Sequence, residues 1–249
     1  MSIQPRWVLW AVLSLLLAGC GLFQRGERVI TGSGRVTSET RAVTGIERVT
    51  LEGLGEVTVQ EGAADALTIE AEDNLLPLIT SVVEGGNLRL GFDRATWRDS
   101  IRPTQPIRYV LTVRALQAFD LNGSGSLRAN SLHADSLMLT INGTGDVNID
   151  YLEASRLDLR LTGAGDVTLA GQVDTQDIEI GGSGQYQAGD LDSGTTSITI
   201  SGSGDTVVWV RDDLSINITG SGTVSYFGDP NISRRDISGS GDINPMGTK

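Results

Sequence analysis

The amino-acid sequence predicts an all-β fold, a right-handed parallel β-helix (β-solenoid) with coils of about 20 residues and one short inserted helix. A Gly-x-Gly motif recurs seven times from residue 121 on, and its copies are separated by 18 to 20 residues. The flanking segments, such as Leu157-Asp-Leu-Arg-Leu161, alternate apolar and polar residues, which is the period of a strand. With 32 glycines and 5% aromatic residues among 249, the composition is also unusual for a helical domain.

Residues 1–19 predict a signal peptide for export. Arg6 precedes an almost unbroken apolar run from Trp7 to Leu17, which is too short for a comfortable membrane span. The run ends in Leu17-Ala18-Gly19-Cys20, a segment that resembles the lipobox of bacterial lipoproteins, and Cys20 is the only cysteine. We therefore expect cleavage before Cys20 and attachment of lipid to its thiol.

The expected mature chain is a lipidated tether over residues 20–29 and a single β-solenoid domain over residues 30–249. Because several acyl chains hold a protein on a bilayer far more firmly than one, the lipid on Cys20 predicts a stable membrane anchor. We expect a location in the cell envelope, on the outer face of the cytoplasmic membrane or on the outer membrane. Gly21, which stands where an Asp would, favours the outer membrane in an organism that has two.

The coils are predicted to be regular over residues 121–249, with a glycine corner in each. Glycine reaches positive φ without penalty and lets neighbouring chains approach closely where the coil turns. Outlying copies of the motif at Ile30–Val36 and Leu51–Val57 predict that the stack begins near the mature N-terminus. The predicted corner glycines are Gly123, Gly125, Gly143, Gly145, Gly163, Gly165, Gly182, Gly184, Gly202, Gly204, Gly220, Gly222, Gly239 and Gly241.

The inserted helix is predicted over residues 73–83. Asp73 would be its N-cap, and Gly85 or Gly86 would end it. Residues 93–106, which include Pro103 and Pro106, predict an irregular loop before a strand from Ile107 to Val113.

Charge and residue types exclude several classes of function. The formal net charge of −12 repels polyanions, so we expect no nucleic-acid partner. His133 is the only histidine and Cys20 the only cysteine, so the sequence does not contain the residues for a metal site with several His or Cys ligands. We expect no cofactor.

A ladder of carboxylates is the best candidate for metal binding, since Asp146 and Asp166 follow the second glycine in adjacent coils. Calcium binds such oxygen ligands. Ser126, Gln185 and Thr223 interrupt the ladder, however, and solvated carboxylates that cap the turns explain it without a metal. We therefore assign no metal site and keep these two residues as weak candidates.

The sequence resembles the putative auto-transporter adhesin head domains, also called GIN domains. The resemblance lies in Arg41–Ile46, Glu56–Gly62, Asp73–Leu76, the Gly-Ser-Gly-Asp units and Tyr226–Pro230, and it extends over nearly the whole mature chain. It implies a right-handed parallel β-helix and frequent lipoprotein anchoring. It supplies no catalytic residues.

These observations favour a non-catalytic binding, adhesion or scaffolding module whose partner is a glycan or an envelope protein. One alternative is a polysaccharide lyase or hydrolase, for which Asp146, Asp166 and Arg160 form the least implausible group. The uniform coil length argues against it, because catalytic clefts on such folds need long loops. Another alternative is an envelope sensor or assembly factor that offers the end of the solenoid as an edge for another strand.

Overall fold

The computed structural model of the chain describes residues 29–93 and 100–249. The predicted signal peptide, the lipobox and Cys20 lie outside the described residues. In the part of the chain that the structure describes, no helix is long and apolar enough to span a membrane.

The predicted parallel β-solenoid is confirmed: equivalent strands of successive coils pair in parallel and in register. Strands β1 to β9 precede the regular array, and β10 to β19 form it. The bounds are β1 Val29–Thr31, β2 Val36–Arg41, β3 Arg48–Gly53, β4 Glu56–Glu61, β5 Ala66–Glu72, β6 Ile79–Glu84, β7 Asn87–Phe92, β8 Ser100–Arg102, β9 Arg108–Val113, β10 Ala118–Gly123, β11 Ser126–Ala129, β12 Leu132–Ile141, β13 Val147–Leu161, β14 Val167–Ile180, β15 Tyr186–Ile200, β16 Thr206–Ile218, β17 Thr223–Phe227, β18 Asn231–Ile237 and β19 Asp242–Pro245.

Each regular coil has three faces, which we call A, B and C. Face A is the strand before the glycine corner, as in residues 156–161, and face B is the strand after it, as in residues 147–149. Face C lies between B and A and includes residues 152–154. The strand order across face A is β6-β7-β3-β10-β12-β13-β14-β15-β16-β18, and across face B it is β2-β5-β9-β4-β11-β13-β14-β15-β16-β17-β19.

Aliphatic side chains fill the interior as vertical columns. On face A the column runs through Leu121, Ile141, Leu161, Ile180, Ile200 and Ile218, all of which are fully buried. Since each residue covers the one below it, no coil is stable by itself and neighbouring coils stabilise each other.

Another inward column of face A, which runs through Leu137, Leu157, Gln176, Thr196 and Leu214, contains buried polar residues in the middle of the array. The Tyr186 hydroxyl donates to Gln176 Oε1 at 2.8 Å, and Gln176 Nε2 donates to Ser193 Oγ at 2.9 Å. Ser193 in turn donates to the Trp209 carbonyl at 2.6 Å. Burial raises the pKa of Tyr186 and keeps its phenol neutral. Because each of these buried groups has a partner, its hydrogen bonds offset the cost of removing it from water.

The stack does not follow chain order at its first coils. The chain first forms the coil of β3 and β4 and then inserts residues 62–117 before returning at β10. Within the insertion, β7 pairs with the outer edge of β3 and β9 with that of β4, so they form the coil below. Antiparallel strands β6, β5 and β2 then cover this end of the stack.

The helix predicted over residues 73–83 is wrong. Only one turn of 3-10 helix exists, Leu76–Leu78, and β6 follows at once. Ile79, Thr80, Val82 and Val83 are β-branched and favour a strand, and Pro77 stands within the single turn.

The residues that were expected to bound this helix have other roles. Gly85 and Gly86 form the two-residue turn of the β6–β7 hairpin, with φ of 56° and 79°, which such turns require. Asp73 pairs with Arg35 at 2.7 Å and accepts a hydrogen bond from Ser33.

The outlying motif copies had different outcomes. Gly53 stacks under Gly123, so the copy at Leu51–Val57 is a coil corner as predicted. The copy at Ile30–Val36 is not, since β1 pairs with β8, inside the segment expected to be a loop. There the Gly34 amide donates to the Glu72 carboxylate at 2.6 Å.

Candidate functional site

The glycine corners form a continuous backbone ladder along the stack. The amide of the residue between the two glycines donates to the first glycine's carbonyl in the preceding coil, as from Thr144 to Gly123 and from Ala164 to Gly143, each at 3.0 Å. A Cβ on Gly163 would lie 1.7 Å from the Gly143 oxygen. Close approach therefore requires the corner glycines. Positive φ is not the reason for glycine at these corners. Only Gly239 among the fourteen corner glycines has a positive φ, and its value of 159° is nearly extended.

The carboxylates that follow these corners hold the next coil. Asp146 Oδ1 accepts the Asp166 amide at 3.1 Å, and Asp166 Oδ1 accepts the Gln185 amide at 3.2 Å. Asp205 accepts the Thr223 amide in the same way, at 3.1 Å. In residues 29–93 and 100–249 no group of three or more His, Cys, Asp or Glu side chains is placed to hold a metal ion. The geometry of Asp146 and Asp166 thus corresponds to turn capping.

Arg160 is bound elsewhere than to these carboxylates. Its guanidinium lies 2.6 Å from Glu179 Oε2, on face A. Asp146, Asp166 and Arg160 would have to act together in an enzyme, but each is engaged in a separate structural contact.

A groove lies where face C turns into face A. One hollow of about 600 Å³ extends along the stack as far as Arg211, and a second of about 570 Å³ continues it toward Arg48 and the Gly85–Gly86 turn. The two hollows share Ala115, Ala134 and Asp135. Small side chains at this corner, Ala134, Ala154 and Ser155, leave the space.

Polar groups line the groove in a column along the stack. His133, Glu153 and Gln172 lie in register on successive strands. Asp135 and Asp174 lie at the adjacent corner. From His133 to Gln172 the column covers two steps between coils, or about 10 Å at ~4.8 Å per step. The lining of the two hollows supplies carboxylates, three amides and two guanidinium groups.

His133 is at the start of this column and is held by two carboxylates. Its Nδ1 lies 2.8 Å from Glu61 Oε2, and its Nε2 lies 3.7 Å from Glu153 Oε2. The hydrogen bond to Glu61, with the charge of Glu61 added, raises the pKa of His133. The Tyr151 ring, 42% exposed, lies 6.3 Å from the imidazole between ring centres. Tyr151 is therefore a neighbour of His133, and it is not among the residues that line the two hollows.

Sequence reasoning did not find this groove. The glycine motif marks faces A and B, whereas face C lies midway between two motifs and has no residue type that recurs from coil to coil. A signal did exist, because His133, Glu153 and Asp192 each stand ten residues after the first glycine of their coil. Polar residues recurring at that offset define the outward column of face C.

The fold is similar to those of solved structures from Bacteroides and Parabacteroides species. A putative adhesin from Bacteroides fragilis has 23% identity and a TM-score of 0.81, with 87% of this chain and 100% of that chain covered. A putative lipid binding protein from Parabacteroides distasonis has 23% identity and a TM-score of 0.71, covering 88% and 100%. A putative adhesin from Parabacteroides merdae has 17% identity and a TM-score of 0.66, covering 88% and 99%.

No curated protein matches the chain. The model of one protein family does, that of the putative auto-transporter adhesin, head GIN domain, over residues 46–230. The match begins just before β3 and ends just before β18. The chain belongs to this GIN-domain family.

Proposed function

We propose that this chain is a lipid-anchored module of the cell envelope that binds glycan chains in the groove beside face C, without catalysis. The observation that carries the proposal is the groove itself, which is long and polar and is lined by His133, Glu153 and Gln172. Sugars present many hydroxyls, so carboxylates, amides and an imidazole are suitable hydrogen-bond partners.

The chemistry of the groove favours binding over turnover. Arg211 pairs with Asp192 at 3.3 Å, and His133 pairs with Glu61, so the charged groups are already partly neutralised. Hydrogen-bonding groups repeat along the stack, which suits weak contacts at several points of one extended chain. The names of the related structures, two of which are putative adhesins, support a binding role.

Anchoring is the second part of the proposal and depends on the lipobox at residues 17–20. Replacement of Cys20 by Ser should move the chain from the membrane fraction to the soluble fraction. It should also abolish labelling by a fatty-acid analogue. If the serine variant is still labelled and stays in the membrane fraction, anchoring through Cys20 is wrong.

The groove can be tested with two glutamines at different positions on the solenoid. Gln172 lies in the groove on face C, whereas Gln187 is on the outer surface of face B. On an array of bacterial and host glycans, we expect Gln172→Ala to weaken the strongest signal about tenfold, as the loss of one or two hydrogen bonds to the ligand implies. Gln187→Ala should leave it unchanged. Equal loss in both variants, or binding to no glycan, would contradict the proposal.

A further inference from the structure

A second site lies where the last residues of the chain meet faces B and C. The Lys249 ammonium lies 2.5 Å from the Gly189 carbonyl and contacts the Asp190 carboxylate. The same nitrogen is 5.4 Å from the centre of the Trp209 ring and 5.3 Å from that of Phe227. We define these four residues, Gly189, Asp190, Trp209 and Phe227, as the ammonium cage.

The cage is built by the solenoid and not by the segment that fills it. Its residues come from β15, β16 and β17, which are consecutive levels of the stack, and Trp209 pairs with Phe227 in register. Gly189 leaves room for the ring, because a Cβ there would lie 3.3 Å from the Phe227 ring and 3.2 Å from Val207, and these side chains would have to shift. The pairing of the strands therefore places the two rings beside Gly189 and Asp190.

The contacts are those that select a primary ammonium on an aliphatic stem. Two ring faces attract a cation, a carboxylate neutralises it, and a carbonyl accepts a hydrogen bond from it. The Lys249 side chain is 31% exposed, which is low for a lysine, whereas the Asp190 side chain is 80% exposed. The site is open to solvent on the carboxylate side, so an ammonium from another molecule can reach it.

The occupant is held loosely. The Met246 amide donates to the Tyr226 carbonyl at 2.8 Å, and the Gly247 carbonyl accepts a hydrogen bond from the Gly228 amide at 2.9 Å. Ordering a lysine side chain costs conformational entropy, which offsets much of what the cage contributes. Lys249 is also the only lysine of the chain, whose net charge is −12 and attracts basic segments.

We propose that the ammonium cage is a binding site for a lysine side chain of a partner protein, and that Lys249 occupies it until such a partner displaces it. This site is distinct from the glycan groove, so either can fail without the other. A lysine of the chain itself already fits the cage, which is why a protein lysine is the favoured occupant.

The test measures binding of a short peptide, acetyl-Gly-Lys-Gly-amide, to the full chain in detergent. The indole N–H signal of Trp209 in nitrogen-15 NMR spectra is the readout, assigned by its loss in Trp209→Phe. We expect the peptide to bind Lys249→Ala about tenfold more tightly than the unchanged chain, because the tethered competitor is gone. Adding Asp190→Asn to that variant should reverse the gain.

The controls separate charge from shape. A peptide with norleucine in place of lysine keeps the stem and lacks the ammonium, so it should not shift the signal. Asp190→Asn alone should release Lys249 and move the Trp209 signal toward its position in Lys249→Ala. If Lys249→Ala does not improve binding of the lysine peptide, or if norleucine binds equally, Lys249 is only a clasp for the end of the chain. Binding to vesicles with ethanolamine headgroups but not to the peptide would also overturn the proposal, in favour of a lipid surface.

Discussion

Gly181 and Gly182 are neighbours in the chain, but only one of them faces the backbone of the coil below. A Cβ on Gly182 would lie 1.8 Å from the Gly163 oxygen, whereas one on Gly181 would meet nothing closer than Ser201 Oγ at 3.7 Å. We expect Gly182→Ala to lower the free energy of unfolding by about 3 kcal/mol or more, since overpacking against backbone cannot relax cheaply. Gly181→Ala should change it by less than about 1 kcal/mol. Urea denaturation followed by circular dichroism measures both, and equal losses would show that the corner does not require glycine.

Glu72 is the buried residue that ties the start of the described chain to the insertion. Its carboxylate accepts hydrogen bonds from the Gly34 amide at 2.6 Å and from the Thr104 amide and hydroxyl at 2.9 and 2.5 Å. Burial acts to raise the pKa of Glu72, but these hydrogen bonds outweigh it, and the net shift is downward.

A lowered pKa fixes the sign of the pH dependence. The folded state holds the Glu72 proton more weakly than the unfolded state, so the contribution to stability is fully present above the ordinary glutamate pKa near 4.5. It is lost as the pH falls through the lower folded value. We expect Glu72→Gln to be less stable than the unchanged chain at pH 7 and to lose less stability on acidification. Thermal unfolding at several pH values measures this, and parallel pH profiles for the two proteins would contradict it.

At the scale of the element, a coil depends on which side of the strand a residue faces. Ile200 is fully buried in the face A column, while Asp205 is exposed and accepts the Thr223 amide. Ile200→Asp places an unpaired charge among aliphatic side chains and should cost more than about 4 kcal/mol, unfolding several coils together. Asp205→Asn keeps an oxygen that can accept the same hydrogen bond and should have little effect. Circular dichroism at increasing temperature compares the two, and equal stability would mean that inward and outward positions have been exchanged.

The repeat made much of this element predictable. A period of 18 to 20 residues identifies the corners, and alternation such as Leu157–Leu161 identifies the inward side. The first coils could not be ordered this way, because the motif at Leu51–Val57 is locally the same whether the next coil follows it or is inserted below. The Ile30–Val36 copy shows a further limit, since Gly32 and Gly34 there accommodate the Glu72 carboxylate.

The candidate sites were less predictable than the fold, for a physical reason. The groove depends on small residues such as Ala134 and Ala154 being stacked at one corner, and such residues carry no chemical signal in a sequence. The ammonium cage joins Lys249 to Asp190 across about sixty positions of chain, and only the stacking of β15, β16 and β17 brings them together. Sequence reasoning recognises chemistry that is local or repeated. The ammonium cage is neither, and of the groove only the polar position ten residues after the first glycine of a coil is repeated.

At the scale of the whole molecule, the two ends of the stack differ. One end is covered by the antiparallel strands β2, β5 and β6. At the other end, β18 and β19 pair on one side only among the described residues, and every residue of β18 is exposed. Ile232 and Ile237 in β18 are 38% and 39% exposed, and Met246 beyond β19 is 54% exposed. Such an edge can pair with another strand.

Arg235 is the feature that opposes this pairing. It stands above Ile216, in the neighbouring inward column of face A, where the regular coils have Leu139, Leu159, Ile178 and Ile198, so it places a charge on the open end of the core. An inward-pointing charge on an edge strand disfavours the addition of a further strand, because that strand would bury it.

Replacing Arg235 by Leu should therefore complete the apolar end of the stack and promote end-to-end association. Burial of one leucine side chain contributes about 1.5–3 kcal/mol, so we expect the association constant to rise at least about tenfold. Arg234→Leu is the matched control, because it removes the same charge from the outward side of the same strand, where Arg234 pairs with Asp236 at 2.7 Å. Sedimentation equilibrium over a range of concentrations measures both. If the two variants associate equally, net charge rather than the position in the column keeps this end of the solenoid apart from another chain.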